Sequence, residues 1–250
     1  MPDPKRQILL VLVVALGVWF YLTLRAVEQT RDIELVGTTA YLAAGGAGLR
    51  IVDVANPDSP REIGYYDTLG SANAVFVREN YAFVADGQEG LRVIDVSNPA
   101  APREVGGFDT PGYAEDVAVA GRYAYVADGR SGLLVLDIQE PENPEMPEGH
   151  QALNLRGGVS RVVIREDYAF VADYGETIRA VRIARPRDLE EAGSFDVEGR
   201  VLNLEVFGDR AYVAAGSRGL VLVDISDPDE LAEVMVIGSG GEAKGVDVFG

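Results

Sequence analysis

The chain has no cysteine and one histidine in 250 residues. That excludes disulfides, thiolate nucleophiles, cysteine zinc sites and any multi-histidine metal centre. The one histidine, His150, lies in an irregular insertion running from Glu142 to Gln151 and reads as a solvated loop residue. It supports no Ser-His-Asp set. Basic residues are few: 22 Lys and Arg face 40 Asp and Glu, for a net charge of −18. An acidic surface repels nucleic acid and anionic lipid, so neither is a partner. No Gly-Lys-Ser/Thr phosphate loop is present, because Gly238-Ser-Gly-Gly-Glu-Ala-Lys-Gly245 lacks the Lys-Ser/Thr step. No helical period of useful length runs between residues 32 and 250, which argues against a helical fold. Nothing in the sequence asks for a cofactor.

What the chain does have is repetition. Tyr81-Ala-Phe-Val-Ala-Asp-Gly87 returns as Tyr123-Ala-Tyr-Val-Ala-Asp-Gly129 and as Tyr168-Ala-Phe-Val-Ala-Asp173. Fainter copies are Ala40-Tyr-Leu-Ala-Ala-Gly45 and Ala211-Tyr-Val-Ala-Ala-Gly216. The spacing is 42 residues, or 45 between the third and fourth copies. After each comes a Gly-rich turn and a strand such as Leu91-Arg-Val-Ile-Asp-Val96, then a Pro turn (Asn56-Pro57, Asn98-Pro99, Glu140-Pro141, Arg185-Pro186, Asp227-Pro228). Proline cannot donate to a ladder, so it ends the strand. A more polar segment follows (Arg61-Glu-Ile-Gly-Tyr-Tyr66), then a glycine common to all copies (Gly70, Gly112, Gly157, Gly199, Gly241), then an alternating strand (Val75-Phe-Val77). A glycine so fixed is expected to serve a backbone angle that other residues resist. Four short strands per unit of this period predict an all-β propeller of four-stranded blades. A lone blade buries too little to stand by itself, so neighbours must stack.

The units fall at about 33–74, 75–116, 117–161, 162–203 and 204–245, within a repeat domain at 32–250. Val246-Asp-Val-Phe-Gly250 restarts the first strand of a sixth, so the sequence is expected to be a fragment of a longer propeller with an open or strained ring. The competing expectation is a closed five-bladed ring with a redundant tail.

The strands Leu49-Arg-Ile-Val-Asp53, Leu91-Arg-Val-Ile-Asp95, Leu133-Leu-Val-Leu-Asp137 and Leu220-Val-Leu-Val-Asp224 resemble the hallmark of the LVIVD repeat family, bacterial and archaeal surface proteins. In the fourth copy, Ile178-Arg-Ala-Val-Arg-Ile183 puts Arg182 where the others have Asp. The resemblance implies a β-propeller and attaches no common reaction.

Residues 8–24 form an uncharged apolar run of 17 after a short N-terminus at 1–7 that carries Lys5 and Arg6. The run is at the short end of a spanning helix. Trp19, Phe20 and Tyr21 suit the membrane interface at its far end, and a linker follows at 25–31. It is expected to be an uncleaved signal-anchor, since it is long for a signal core and no Ala-x-Ala site follows. The alternative is a cleaved secretory signal. Either places the repeats outside the cytoplasm, in the periplasm or beyond the cell.

In a propeller, the loops entering the innermost strands share a face with the turns between second and third strands. The positions after the common glycine change most between copies: Ser71-Ala-Asn73, Tyr113-Ala-Glu-Asp116, Gly158-Val-Ser-Arg161 and Arg200-Val-Leu-Asn203. A ligand or partner surface is therefore expected at Tyr113, Glu115, Asp116, Arg161, Arg200 and Asn203; the plainer reading is that channel mouths are polar and wet. Asp86, Asp128 and Asp173 are weak calcium candidates, and such Asp residues more often bond their own turn. Asp53, Asp95, Asp137 and Asp224 read as turn residues. The function expected is a membrane-anchored binding or structural interaction module at the cell surface, taking a protein, small-molecule or glycan ligand. The alternative is a propeller hydrolase or oxidoreductase with a carboxylate/arginine site at the channel mouth.

Overall fold

A computed structural model describes residues 30–150 and 152–248. The expected leader at 8–24, with its flanks at 1–7 and most of 25–31, lies outside the described residues. Among the described residues no helix is long and apolar enough to cross a membrane. All the regular structure described is β: nineteen strands in five antiparallel sheets, with each strand paired to its neighbour in sequence.

The first blade is β1 Asp32–Val36, β2 Thr39–Ala43, β3 Leu49–Asp53 and β4 Arg61–Tyr66. The second is β5 Ala74–Arg78, β6 Tyr81–Ala85, β7 Leu91–Asp95 and β8 Arg103–Phe108. The third has β9 Asp116–Ala120, β10 Tyr123–Ala127 and β11 Leu133–Asp137. The fourth is β12 Arg161–Arg165, β13 Tyr168–Ala172, β14 Thr177–Arg182 and β15 Glu190–Asp196. The fifth is β16 Asn203–Phe207, β17 Arg210–Ala214, β18 Leu220–Asp224 and β19 Ala232–Ile237. The repeated Tyr-x-x-Val-Ala segments are thus the second strands, and the hallmark segments the third.

Two expectations need correction. The third blade has three strands, because its insertion carries Pro141, Pro144 and Pro147 and cannot supply a ladder. Two isolated bridges, Asp137↔Glu145 and Leu133↔Leu153, hold the insertion on β11. Between them the Val135 N–H donates to His150 Nε2 at 3.3 Å. His150, expected in solvent, is only 7% exposed, and burial pushes its pKa down. The second correction concerns the tail: Val246–Val248 form no strand, and the last two residues lie outside the described ones.

The sheets stack face to face. Phe83, Leu91 and Val93 of the second blade pack with Val117, Ala124 and Val126 of the third. Phe170 and Ile178 of the fourth pack with Val213, Val221 and Val223 of the fifth. Each such fully buried side chain contributes roughly 1.5–3 kcal/mol, so the interblade layers carry the stability. The inner strands follow the order β1, β5, β9, β12, β16, each packed on the next.

Close approach, not backbone angle, explains the common glycines at Gly70 and Gly112. Neither has a left-handed φ. A Cβ on Gly70 would stand 2.2 Å from Asp86 O, and one on Gly112 2.2 Å from Asp128 O. A second glycine row works between blades. A Cβ on Gly64 would meet Pro99 O at 2.0 Å, on Gly106 Pro141 O at 2.4 Å, and on Gly193 Pro228 O at 2.5 Å. Each is a notch in an outer strand that seats the Pro turn of the following blade.

Candidate channel-mouth site

The bridges Gly45↔Ala72, Gly87↔Ala114 and Gly129↔Val159 tie the second-to-third-strand turns of the first three blades to the segments entering the next inner strands, and Gly216↔Ala243 ties the fifth blade's turn to the segment after β19. The two sets of loops therefore share one face, as expected. Buried aspartates brace it. Asp86 accepts the Thr68 hydroxyl at 2.6 Å and the Gly70 N–H at 2.9 Å. Asp128 accepts the Thr110 hydroxyl at 2.5 Å and the Gly112 N–H at 2.8 Å. Asp173 accepts the N–H groups of Gly175 and Thr177 at 2.7 and 3.1 Å. These carboxylates bond their own face together. Asp53, Asp95, Asp137 and Asp224 likewise each accept the N–H two residues on, at 2.9–3.0 Å. Arg182, where the fourth copy departs, reaches Asp229 of the fifth blade instead.

Three of the expected site residues occupy one structural position. Asp116, Arg161 and Asn203 are each the first residue of an inner strand, with Asp32 and Ala74 in the other two blades. Asp116 and Asp32 reach across blade junctions. Asp116 Oδ2 accepts Val162 N–H, and Asp32 Oδ2 accepts Val75 N–H, both at 2.9 Å. Burial raises the Asp116 pKa to about 7; the Arg161 charge opposes the rise and the Asp32 charge adds to it. Burial also raises Asp32, again opposed by Arg161. Arg161 therefore stands within electrostatic reach of both. Its Nη1 donates to Ser160 O at 3.4 Å, and it makes no ion pair among the described residues. Asn203 Oδ1 is buried with no hydrogen-bond partner among the described residues.

One layer further in, at the third position of inner strands, stand Glu34 and Glu205. Burial is the main reason both are raised to about 7, and the negative charge of Asp247 adds to each. This acidic layer was missed in the sequence. Its signal was the 42-residue register, read at the third strand position rather than the first.

The other expected residues lie on the rim. Glu115 Oε1 accepts the Tyr174 hydroxyl at 2.7 Å. Tyr174 stands where the other four turns have Gly45, Gly87, Gly129 and Gly216, so this departure was also visible in the repeat. The Tyr113 ring lies over Gly87, within 3.0 Å of where a Cβ would sit. Arg200 is apart from these. It lines an open groove of about 460 Å³ with Leu202, Gly216, Ser217, Glu242 and Lys244.

Five copies of the LVIVD repeat match the chain, at residues 29–68, 69–110, 111–148, 156–197 and 198–237. The chain belongs to the LVIVD repeat family. No curated protein matches it. Solved structures similar to this LVIVD chain include the computationally designed Ika8 protein, at 12% identity and a TM-score of 0.61 over 86% of this chain and 63% of that one. A functionally unknown protein from Desulfotomaculum acetoxidans matches at 16% identity and a TM-score of 0.69 over 86% and 73%. The Cps50 (Swd1) β-propeller domain of Myceliophteria thermophila matches at 11% identity and 0.68 over 86% and 74%. At these identities the likeness shows the fold, a propeller-like stack, and the chain spans under two thirds of Ika8.

Proposed function

We propose that this LVIVD protein is a membrane-anchored, extracytoplasmic binding module whose ligand enters at the channel mouth. The observation that carries the reading is the ring of Asp116, Arg161 and Asn203. It sets an Arg with no ion pair, and an Asn oxygen with no hydrogen-bond partner, among the described residues beside two carboxylates held on backbone N–H groups. A guanidinium suits a ligand carboxylate, and the carboxylates suit an ammonium or hydroxyl group. The ring therefore favours a small polar ligand, or a polar side chain of a protein partner, over an apolar one. Tyr113, Glu115 and Tyr174 add an aromatic rim of the kind that takes sugars or peptide. Anchoring rests on residues 8–24 alone.

The test is a peptide and glycan array probed with the full chain in detergent. Hits are expected to weaken at least tenfold for Arg161→Ala with an unchanged melting temperature. Equal binding by the variant removes the mouth from the account. Digestion of the repeats by added protease is expected in intact cells or, for a periplasmic domain, once any outer membrane is permeabilised; protection under both conditions rules out the topology. A hydrolytic role has one observation in its favour. Asp116, Glu34 and Glu205 sit at about 7, where a carboxyl can both give and take a proton at neutral pH.

A further inference from the structure

The fourth blade departs from the repeat twice on the mouth face, and the two departures fit one another. Its second-to-third-strand turn has Tyr174 where the other blades have Gly45, Gly87, Gly129 and Gly216. Those glycines hold φ of 56–63°, whereas Tyr174 is not left-handed. The segment entering the blade has Gly158 where the others have Ser71, Tyr113, Arg200 and Glu242. Gly157 and Gly158 are both left-handed, at 96° and 77°, and no other of the common glycines is. A Cβ on Gly158 would stand 3.2 Å from Tyr174 Cδ2 and Cε2. The bare backbone of Gly158 is thus the bed on which the Tyr174 ring lies.

The far end of that ring is clamped. Its hydroxyl donates to Glu115 Oε1 at 2.7 Å and stands 3.0 Å from where a Gly129 Cβ would be. Tyr113 continues the row. Its Cβ is 3.6 Å from the same Gly129 position, and its Cζ, Cε2 and Oη lie 3.0–3.1 Å from a would-be Cβ on Gly87. Two tyrosines therefore run end to end along the rim, over backbone that carries no side chains, with the Glu115 carboxylate at their junction. Tyr174 stays 44% exposed although both its ends are held. Holding a ring in place costs rotamer freedom, and leaving it in water gains no burial in return. A rigid, open aromatic platform does lower the entropy cost of binding something else.

A sugar chain has the matching chemistry. A pyranose presents a face of polarised C–H bonds, which the negative face of an aromatic ring attracts, and hydroxyls around its edge. A carboxylate accepts such hydroxyls, and Glu115 has its second oxygen, Oε2, without a hydrogen bond among the described residues. Two rings in a row suit a chain rather than a single sugar. Charge narrows the class further, because a net −18 repels anionic polymers. We propose that the Tyr174–Tyr113 row is a subsite for a neutral polysaccharide chain laid along the mouth rim. The proposal rests on the mouth-face reading above and gives it a ligand class.

Calorimetric titration of the full chain, in a detergent that carries no sugar, tests this with the cello-, xylo-, manno-, malto- and chito-hexaoses and their monosaccharides. Wild type should bind at least one hexaose, at least tenfold more tightly than its monosaccharide and equally well as salt is raised. Tyr174→Ala should weaken that binding at least tenfold with an unchanged melting temperature. Tyr113→Ala, at the second ring, guards against a folding artefact and should do the same. Met235→Glu is the control: it lies in the outermost strand of the fifth blade, opposite Leu222 as Gly64 lies opposite Ile51, is 46% exposed, and should bind as wild type does. Wild type that binds no hexaose, or binding unchanged in either tyrosine variant, overturns the proposal. Binding that falls steeply with salt overturns it too, as expected if a cationic segment of a protein partner takes the row. A ligand lost with Arg161→Ala but kept by Tyr174→Ala removes the row and leaves the ring standing; the converse removes the ring alone.

Discussion

The brace beneath the mouth allows the sharpest stability prediction. Asp86 is 0% exposed and holds two donors from the segment entering the second blade, Thr68 Oγ1 and Gly70 N–H. Asp86→Ala leaves both without an acceptor. An unsatisfied buried donor costs about 1–3 kcal/mol; part of the loss at Gly70 is recovered by water, so the sum is about 2–4 kcal/mol. Against a typical domain stability of about 5–15 kcal/mol this is a large fraction. Thr68→Val removes donor and hydroxyl together and should cost about 1 kcal/mol. The double variant should lose less than the two singles added, because they share one bond. Urea denaturation followed by circular dichroism measures all four proteins. The sign with pH is also fixed. Burial raises the Asp86 pKa above its usual 3.8. Its contribution is then greatest below 3.8 and falls as pH rises through the raised native value. Asp86→Asn should flatten that slope. Strict additivity of Asp86→Ala and Thr68→Val, or a loss under about 0.5 kcal/mol, would refute the brace.

Other outcomes follow from single contacts. Gly64→Ala should destabilise by about 1–3 kcal/mol in thermal melts, since its Cβ meets Pro99 O, whereas Met235→Gly at the matching position should fall well short of that. Glu79 and Glu166 hold φ of 55° and 53° at hairpin positions where other blades have Gly37, Gly121 and Gly208. Replacing either Glu with Gly should stabilise by roughly 0.5–1 kcal/mol, measured by denaturant midpoint. His150 has a lowered pKa and accepts Val135 N–H, so its contribution is intact above 6.5 and lost as pH falls below it. A His150→Gln variant should show a flatter stability profile across that window. Tyr174→Phe removes the donor to Glu115 and should cost about 0.5–1.5 kcal/mol while weakening array hits that contact the rim.

Much of the fold was legible because a repeat puts the same chemistry at one spacing. The hallmark Leu-x-x-x-Asp strands, their Pro turns and the Asp turn bonds all stand where the 42-residue register put them. What escaped it depends on contacts between copies. Gly70 was explained by an angle, yet its cause is the Asp86 carbonyl of another strand turn. His150 looked solvated because the sequence does not show that an insertion rich in proline must lie along β11 and offer side-chain acceptors in place of a strand. Of the mouth residues, Asp116, Arg161 and Asn203 stood out in the sequence by their variation between copies. Asp32, Glu34 and Glu205 were not, since their roles arise only when inner strands gather round one axis.

The most direct measurement is calorimetric titration of one array hit against three proteins: wild type, Arg161→Ala and Met235→Glu. Binding that falls at least tenfold in the first variant and stays at wild-type strength in the second is the predicted result. Binding that survives Arg161→Ala, or is lost with Met235→Glu, contradicts a ligand site at the channel mouth.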